Sequence, residues 1–164
     1  MNQVPEGFPV LEVNPIIDQS VRELCTRPYP LHPKGCPNFG QKDTCPPKAK
    51  MFFEVFDPSY PVYAIVNAFD YRGHKEQMRA KHPEWSERQL ACVRFWQGKA
   101  RKQLKLAINM FLSKHENYAA TTCPEALGVN VTETLKNAGI IMEWPPKEIA
   151  YQVALAGKKK TGDC

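Results

Sequence analysis

The chain has 164 residues, 43% of them hydrophobic and 24% charged, with a formal net charge of +5. That size and composition fit one ordinary globular domain and exclude a chain that must be stapled to fold. The positive balance permits an anionic partner without demanding one, and no apolar run approaches the roughly 18–20 residues that span a bilayer, so no membrane partner is expected.

Residues 1–48 read as an irregular arm. Eleven of the fifteen prolines fall in the first 61 residues. The residues around Met1 show neither the basic nor the apolar part of a targeting signal, and the expectation is a cytoplasmic protein. In that compartment six cysteines suggest metal binding, catalysis or burial rather than a disulfide framework. Within the arm, Asp18–Leu24 suits a short helix or turn that delivers Cys25.

The segment from Cys25 through Cys36 to Cys45 is the densest in information. Prolines and glycines surround the three sulfurs, so neither a helix nor a central strand forms there. Ten residues separate Cys25 from Cys36, and eight separate Cys36 from Cys45. Zinc modules usually show paired C-x2–4-C halves, and this spacing has none. Three thiolates on a rigid loop suit a cubane iron–sulfur cluster, which is larger than one ion.

Residues 47–56 suit a short helix with Pro47 in its first turn. Residues 61–69 are mostly apolar, with β-branched Val62, Ile65 and Val66, and predict a strand covered on both faces. A helix over 71–82 ends at Pro83. Ser86 and Gln89 form a capping box for a long helix, roughly Ser86 to His115. Its core stripe is Leu90, Val93, Ala100, Leu104, Ala107, Ile108 and Phe111. Cys92 lies inside this pattern and reads as a buried cysteine without a partner. The same helix carries Arg94, Arg101 and Lys105 on one face. They are candidates for contact with nucleic acid or a small anion, set against the commoner reading of a solvated helix face. Trp85, Phe95 and Trp96 stand nearby, as base-stacking groups or core residues.

Residues 117–122 predict a strand that stops at Cys123-Pro124, where loops of an α/β fold converge. Thr132 is the expected N-cap of a helix over 131–138, with Gly139 as its stop. Residues 140–144 predict a strand, 148–156 a strand or helix, and 158–164 a disordered basic tail. The whole predicts an α/β fold. A mixed sheet flanked by helices forms a single metal-binding domain over residues 1–157, with the N-terminal Cys/Pro-rich irregular loop packed on it.

Two blocks carry a resemblance. Cys36-Pro-Asn-Phe-Gly-Gln-Lys, followed by Cys45-Pro-Pro, resembles the Cys-Pro-x-Tyr-Gly-Lys…Cys-Pro-Pro signature of an uncharacterised family of predicted metal-binding proteins. The segment from Glu125 to Gly139 resembles that family's Glu-Ala-x-Gly-Ile-Asp-Val…Thr…Gly block. Together they cover about a quarter of the chain. The resemblance implies a cysteine-ligated metal or iron–sulfur centre on Cys36 and Cys45, and more loosely Cys25. The family's second, ferredoxin-like cysteine group is reduced here to Cys123, so a single site is implied.

Two readings result. In the first, Cys25, Cys36 and Cys45 hold a [4Fe-4S] cluster. The fourth ligand is Cys123, or else His32, or that iron stays open for a small ligand or for sulfur transfer. In the second, the loop holds a structural zinc in a module that binds RNA or a protein through the basic helix. Thiol redox chemistry stands behind both, since the chain has no Cys-x-x-Cys.

Overall fold

The computed structural model describes residues 9–28, 32–143 and 145–161. The predicted α/β class is what it shows. Four strands, β1 (Val10–Val13), β2 (Val62–Asp70), β3 (Tyr118–Thr121) and β4 (Ile149–Lys158), form one sheet in the order β1-β2-β4-β3. Every pairing in it is antiparallel. The helices are α1 (Phe52–Val55), α2 (Tyr71–Lys81), α3 (Glu87–Leu90), α4 (Gln97–Leu112) and α5 (Val131–Asn137).

The two-sided burial expected of residues 61–69 follows from the period-2 alternation of β2. Val62, Ala64 and Val66 face one core with Phe52, Phe56, Val131, Leu135 and Leu155. Ile65 faces the other with Leu104, Ala107 and Phe111 of α4 and Ala154 and Ala156 of β4. The same alternation in β4 resolves residues 148–156 as a strand: Leu155 goes to one core and its neighbours Ala154 and Ala156 to the other. The sheet is thus sandwiched, with α1 and α5 on one side and α4 on the other.

Several expectations need correction. The arm is not wholly irregular. Val10–Val13 adds β1 to the sheet, with Val13 paired to Val62, and residues Gln19–Thr26 form a 3-10 helix capped by Asp18. The helix placed at 47–56 shrinks to α1, because Met51 is extended and the helix starts only after it.

The long helix is broken into α3, a 3-10 turn (Val93–Phe95) and α4. Leu90 and Trp96 are both buried, at 1% and 7% exposure. Six residues apart, they lie about 120° out of phase on a continuous α-helix, and the break lets each reach its own pocket. Trp96 stacks on Phe69 (5.3 Å, 18°) and meets Tyr71 edge-on. Val93, expected in the core stripe, is exposed.

The run 140–143 is not a strand. Gly139 adopts φ +93°, the Ile140 amide returns to the Leu135 carbonyl (2.9 Å), and Ile141 is 76% exposed. Trp144 lies outside the described residues. The tail begins later than 158. Lys158 pairs with Tyr118 in the sheet, its Nζ sits 4.2 Å from the Tyr60 ring centroid, and the Lys159 amide donates to Asn117. Residues 162–164, Cys164 among them, lie outside the described residues.

Candidate metal centre

Three segments of the chain converge on the cysteines. Cys25 sits near the end of the 3-10 helix Gln19–Thr26. Cys36 and Cys45 lie in the turn-rich loop that follows. Cys123 precedes a second 3-10 helix, Pro124–Leu127, which packs against the first.

The loop is built by backbone bonds rather than by side chains. The Cys36 amide donates to the Cys25 carbonyl at 2.8 Å, so the two cysteines are held across a closed turn. Gly35 makes this closure possible. Its φ is +87°, and a Cβ there would stand 2.7 Å from the Cys25 carbonyl oxygen. Gly40 donates to the Pro46 carbonyl (2.7 Å) and Cys45 to the Lys42 carbonyl (3.1 Å), fixing the second half.

Arg22 ties the first segment to the second. Its guanidinium donates to the carbonyls of Ala49 (2.6 Å) and Pro47 (3.3 Å), just after Cys45. The third segment is tied to the first by the Asp18 amide, which donates to the Gly128 carbonyl (2.7 Å). Gly128, at φ +79°, leaves the space that the Met51 methyl fills; a Cβ would stand 2.3 Å from that carbon.

Cys25, Cys36, Cys45, Cys92 and Cys123 are free thiols. Burial pushes the Cys25 thiol up, and the charges of Cys36, Cys45, Cys123 and Glu125 add to the shift. Desolvation also raises Cys123, although the residue as a whole is exposed. The Thr122 hydroxyl opposes this, Glu125 and Cys45 reinforce it, and Arg101 opposes it. Cys36, Cys45 and Cys123 thus all contribute to the raised Cys25 pKa. Among the described residues, no three His, Cys, Asp or Glu side chains are gathered as a single ion requires.

The other predicted residues are placed as follows. His32 lies in the same loop, its carbonyl accepting from the Gly35 amide (3.1 Å). Arg94 falls in the 3-10 turn and not on the helix with Arg101 and Lys105, because the chain breaks at Trp96. Arg101 and Lys105 are exposed neighbours on α4, and Arg101 is the one whose charge reaches Cys123.

Two residues of the site carry little signal in the sequence. Glu125, partly buried, has its carboxyl pushed up by burial; only its position two residues after Cys123, inside the second resembling block, pointed to it. Arg22 bonds mainly to backbone carbonyls, which leave no trace in residue types.

No family model, no curated protein and no solved structure matches the chain. The chemistry is therefore read from these residues. Thiolates are soft donors, and the chain has no Cys-x-x-Cys pair.

Proposed function

We propose that the protein holds one cysteine-ligated centre, a [4Fe-4S] cluster on Cys25, Cys36, Cys45 and Cys123. What supports this reading is geometry from three segments: the Cys36 amide closes on the Cys25 carbonyl (2.8 Å), and the 3-10 helix after Cys123 packs on the one that carries Cys25. Burial alone does not call for that arrangement, since neighbouring thiolates repel and the Cys25 thiol is held above its ordinary range. A cation among them reverses the balance and draws all four into the thiolate form.

The donor set fits the group. Thiolate is the usual ligand of iron–sulfur clusters. A cubane spans more space than one ion, in keeping with three cysteines spread along a loop of turns. When bound, such a cluster supplies one-electron storage at a potential set by its exposure and by hydrogen bonds to its sulfurs. The chain's own contribution is to hold the thiols: Gly35 closes the Cys25–Cys36 turn, and Arg22 anchors the stretch after Cys45.

The test is anaerobic purification followed by visible absorption and metal analysis. A brown protein containing iron, bleached by Cys36→Ser or Cys45→Ser but not by Cys92→Ser, is the expected result. A colourless protein with stoichiometric zinc overturns the cluster and leaves a structural zinc module in its place.

A further inference from the structure

From Arg88 to His115 the chain carries seven Lys and Arg residues and no Asp or Glu. None of these seven (Arg88, Arg94, Lys99, Arg101, Lys102, Lys105 and Lys114) makes an ion pair among the described residues, whereas Lys75 and Arg79 of α2 both pair with Glu87. The outer face of α4 presents Lys99, Arg101, Lys102 and Lys105, all exposed, while Ala100, Leu104, Ala107 and Phe111 fix the opposite face against the sheet. The positive charge is therefore held on a rigid support and left uncompensated.

Just ahead of α4 an aromatic stack reaches the surface. His82 lies on Trp85 with ring centroids 4.0 Å apart and planes 6° apart. Trp85 meets Phe95 at 4.7 Å. Phe95, at the outer end, is 51% exposed, and its neighbour Arg94 is exposed as well. The chain break at Trp96 produces this arrangement, turning Trp96 into the core while Phe95 stays out.

We propose that this surface binds single-stranded nucleic acid, with a base continuing the stack at Phe95 and the backbone phosphates following Arg94, Lys99, Lys102 and Lys105. An open cationic strip beside an exposed aromatic is the usual combination for sequence-tolerant single-strand binding. An anionic membrane fits less well, because the apolar face a surface helix would insert is already buried under the sheet. An acidic peptide would use the cations but has no planar group for the stack. The inference is independent of the metal centre, and its variants avoid the cysteines.

The experiment is fluorescence anisotropy with labelled oligo-U and oligo-dT 15-mers, the corresponding duplex, heparin and anionic vesicles, using the protein as purified. Binding to the single strands is expected to weaken with salt. The Lys102→Glu/Lys105→Glu variant is expected to reduce the slope of log K against log salt by at least about 1.4, the share of two phosphate contacts. Phe95→Ala is expected to weaken single-strand binding about fivefold or more and leave heparin binding unchanged. Because all three positions are exposed, matching circular dichroism spectra separate loss of contact from loss of fold. No binding at low salt, equal effects of Phe95→Ala on heparin and oligonucleotide, or binding to vesicles alone would each overturn the proposal.

Discussion

Gly35 lies against the backbone of Cys25, so closely that the peptide of Cys25 occupies the space a side chain at position 35 would need. Both the left-handed φ of +87° and the 2.7 Å approach to the Cys25 carbonyl oxygen require glycine. Gly35→Ala carries about 1–2 kcal/mol from the backbone conformation alone, before the clash is relieved. It is expected to open the turn that aligns Cys25 with Cys36. The check is metal content per chain together with the thermal midpoint, and both should fall. Gly98→Ala, where a Cβ meets nothing within 4 Å, should lower neither.

Arg22 joins the Cys25 segment to the stretch following Cys45 through two carbonyls. Charge-assisted bonds of this kind contribute about 1.5–3 kcal/mol in mutational series. Arg22→Met should therefore destabilise the protein by about that amount and lower metal retention under a competing chelator. Arg22→Lys should recover only part of the loss, since an ammonium does not reproduce the planar fork. Equal metal retention in all three proteins would remove Arg22 from the site.

The start of α5 separates what the residues announce from what the fold selects. A threonine at 132 reads as the cap, yet the Asn130 side chain accepts the Glu133 amide (3.1 Å) and Val131 is already helical. Asn130→Ala is expected to cost about 1 kcal/mol in denaturant unfolding, and Thr132→Ala well under half of that. The reverse order would restore Thr132 as the cap.

The elements most legible in the sequence are those whose signal is local. The apolar β-branched run of β2 and the stop of α2 before Pro83 needed nothing beyond their own residues. So did the strand ending at Cys123. The break before α4 was not legible, because the residues from Ser86 to His115 keep a helical pattern throughout. What breaks the helix is the pocket offered to Trp96 by Phe69 and Tyr71, which are distant in sequence. The apolar residues of 140–143 likewise match a strand locally, but the turn at Gly139 carries them over the surface. At the site, thiols could be counted from the sequence, whereas Arg22 could not be found, since its partners are peptide carbonyls.

His74 gives the fold a pH dependence whose sign is fixed. His74 is 9% exposed, its ring lies 6.0 Å from that of Phe69, and its Nε2 has no hydrogen-bond partner among the described residues. Burial lowers its pKa from the ordinary value of 6.5, and the charge of Lys99 lowers it further. A histidine depressed in the folded state contributes stability above its unfolded pKa and loses it as the unfolded chain takes up the proton. The denaturation midpoint should be flat above about pH 6.5 and fall below it. His74→Phe should flatten that fall, and an unchanged pH profile would show that His74 is not its source.

The most direct measurement is iron and acid-labile sulfide per chain after anaerobic reconstitution, in the wild-type protein and in Cys25→Ser, Cys36→Ser, Cys45→Ser and Cys123→Ser. The cluster predicts about four of each per wild-type chain, with a marked loss in all four variants and none in Cys92→Ser. One zinc per chain without sulfide, or a cluster that survives the loss of both Cys36 and Cys45, would contradict it.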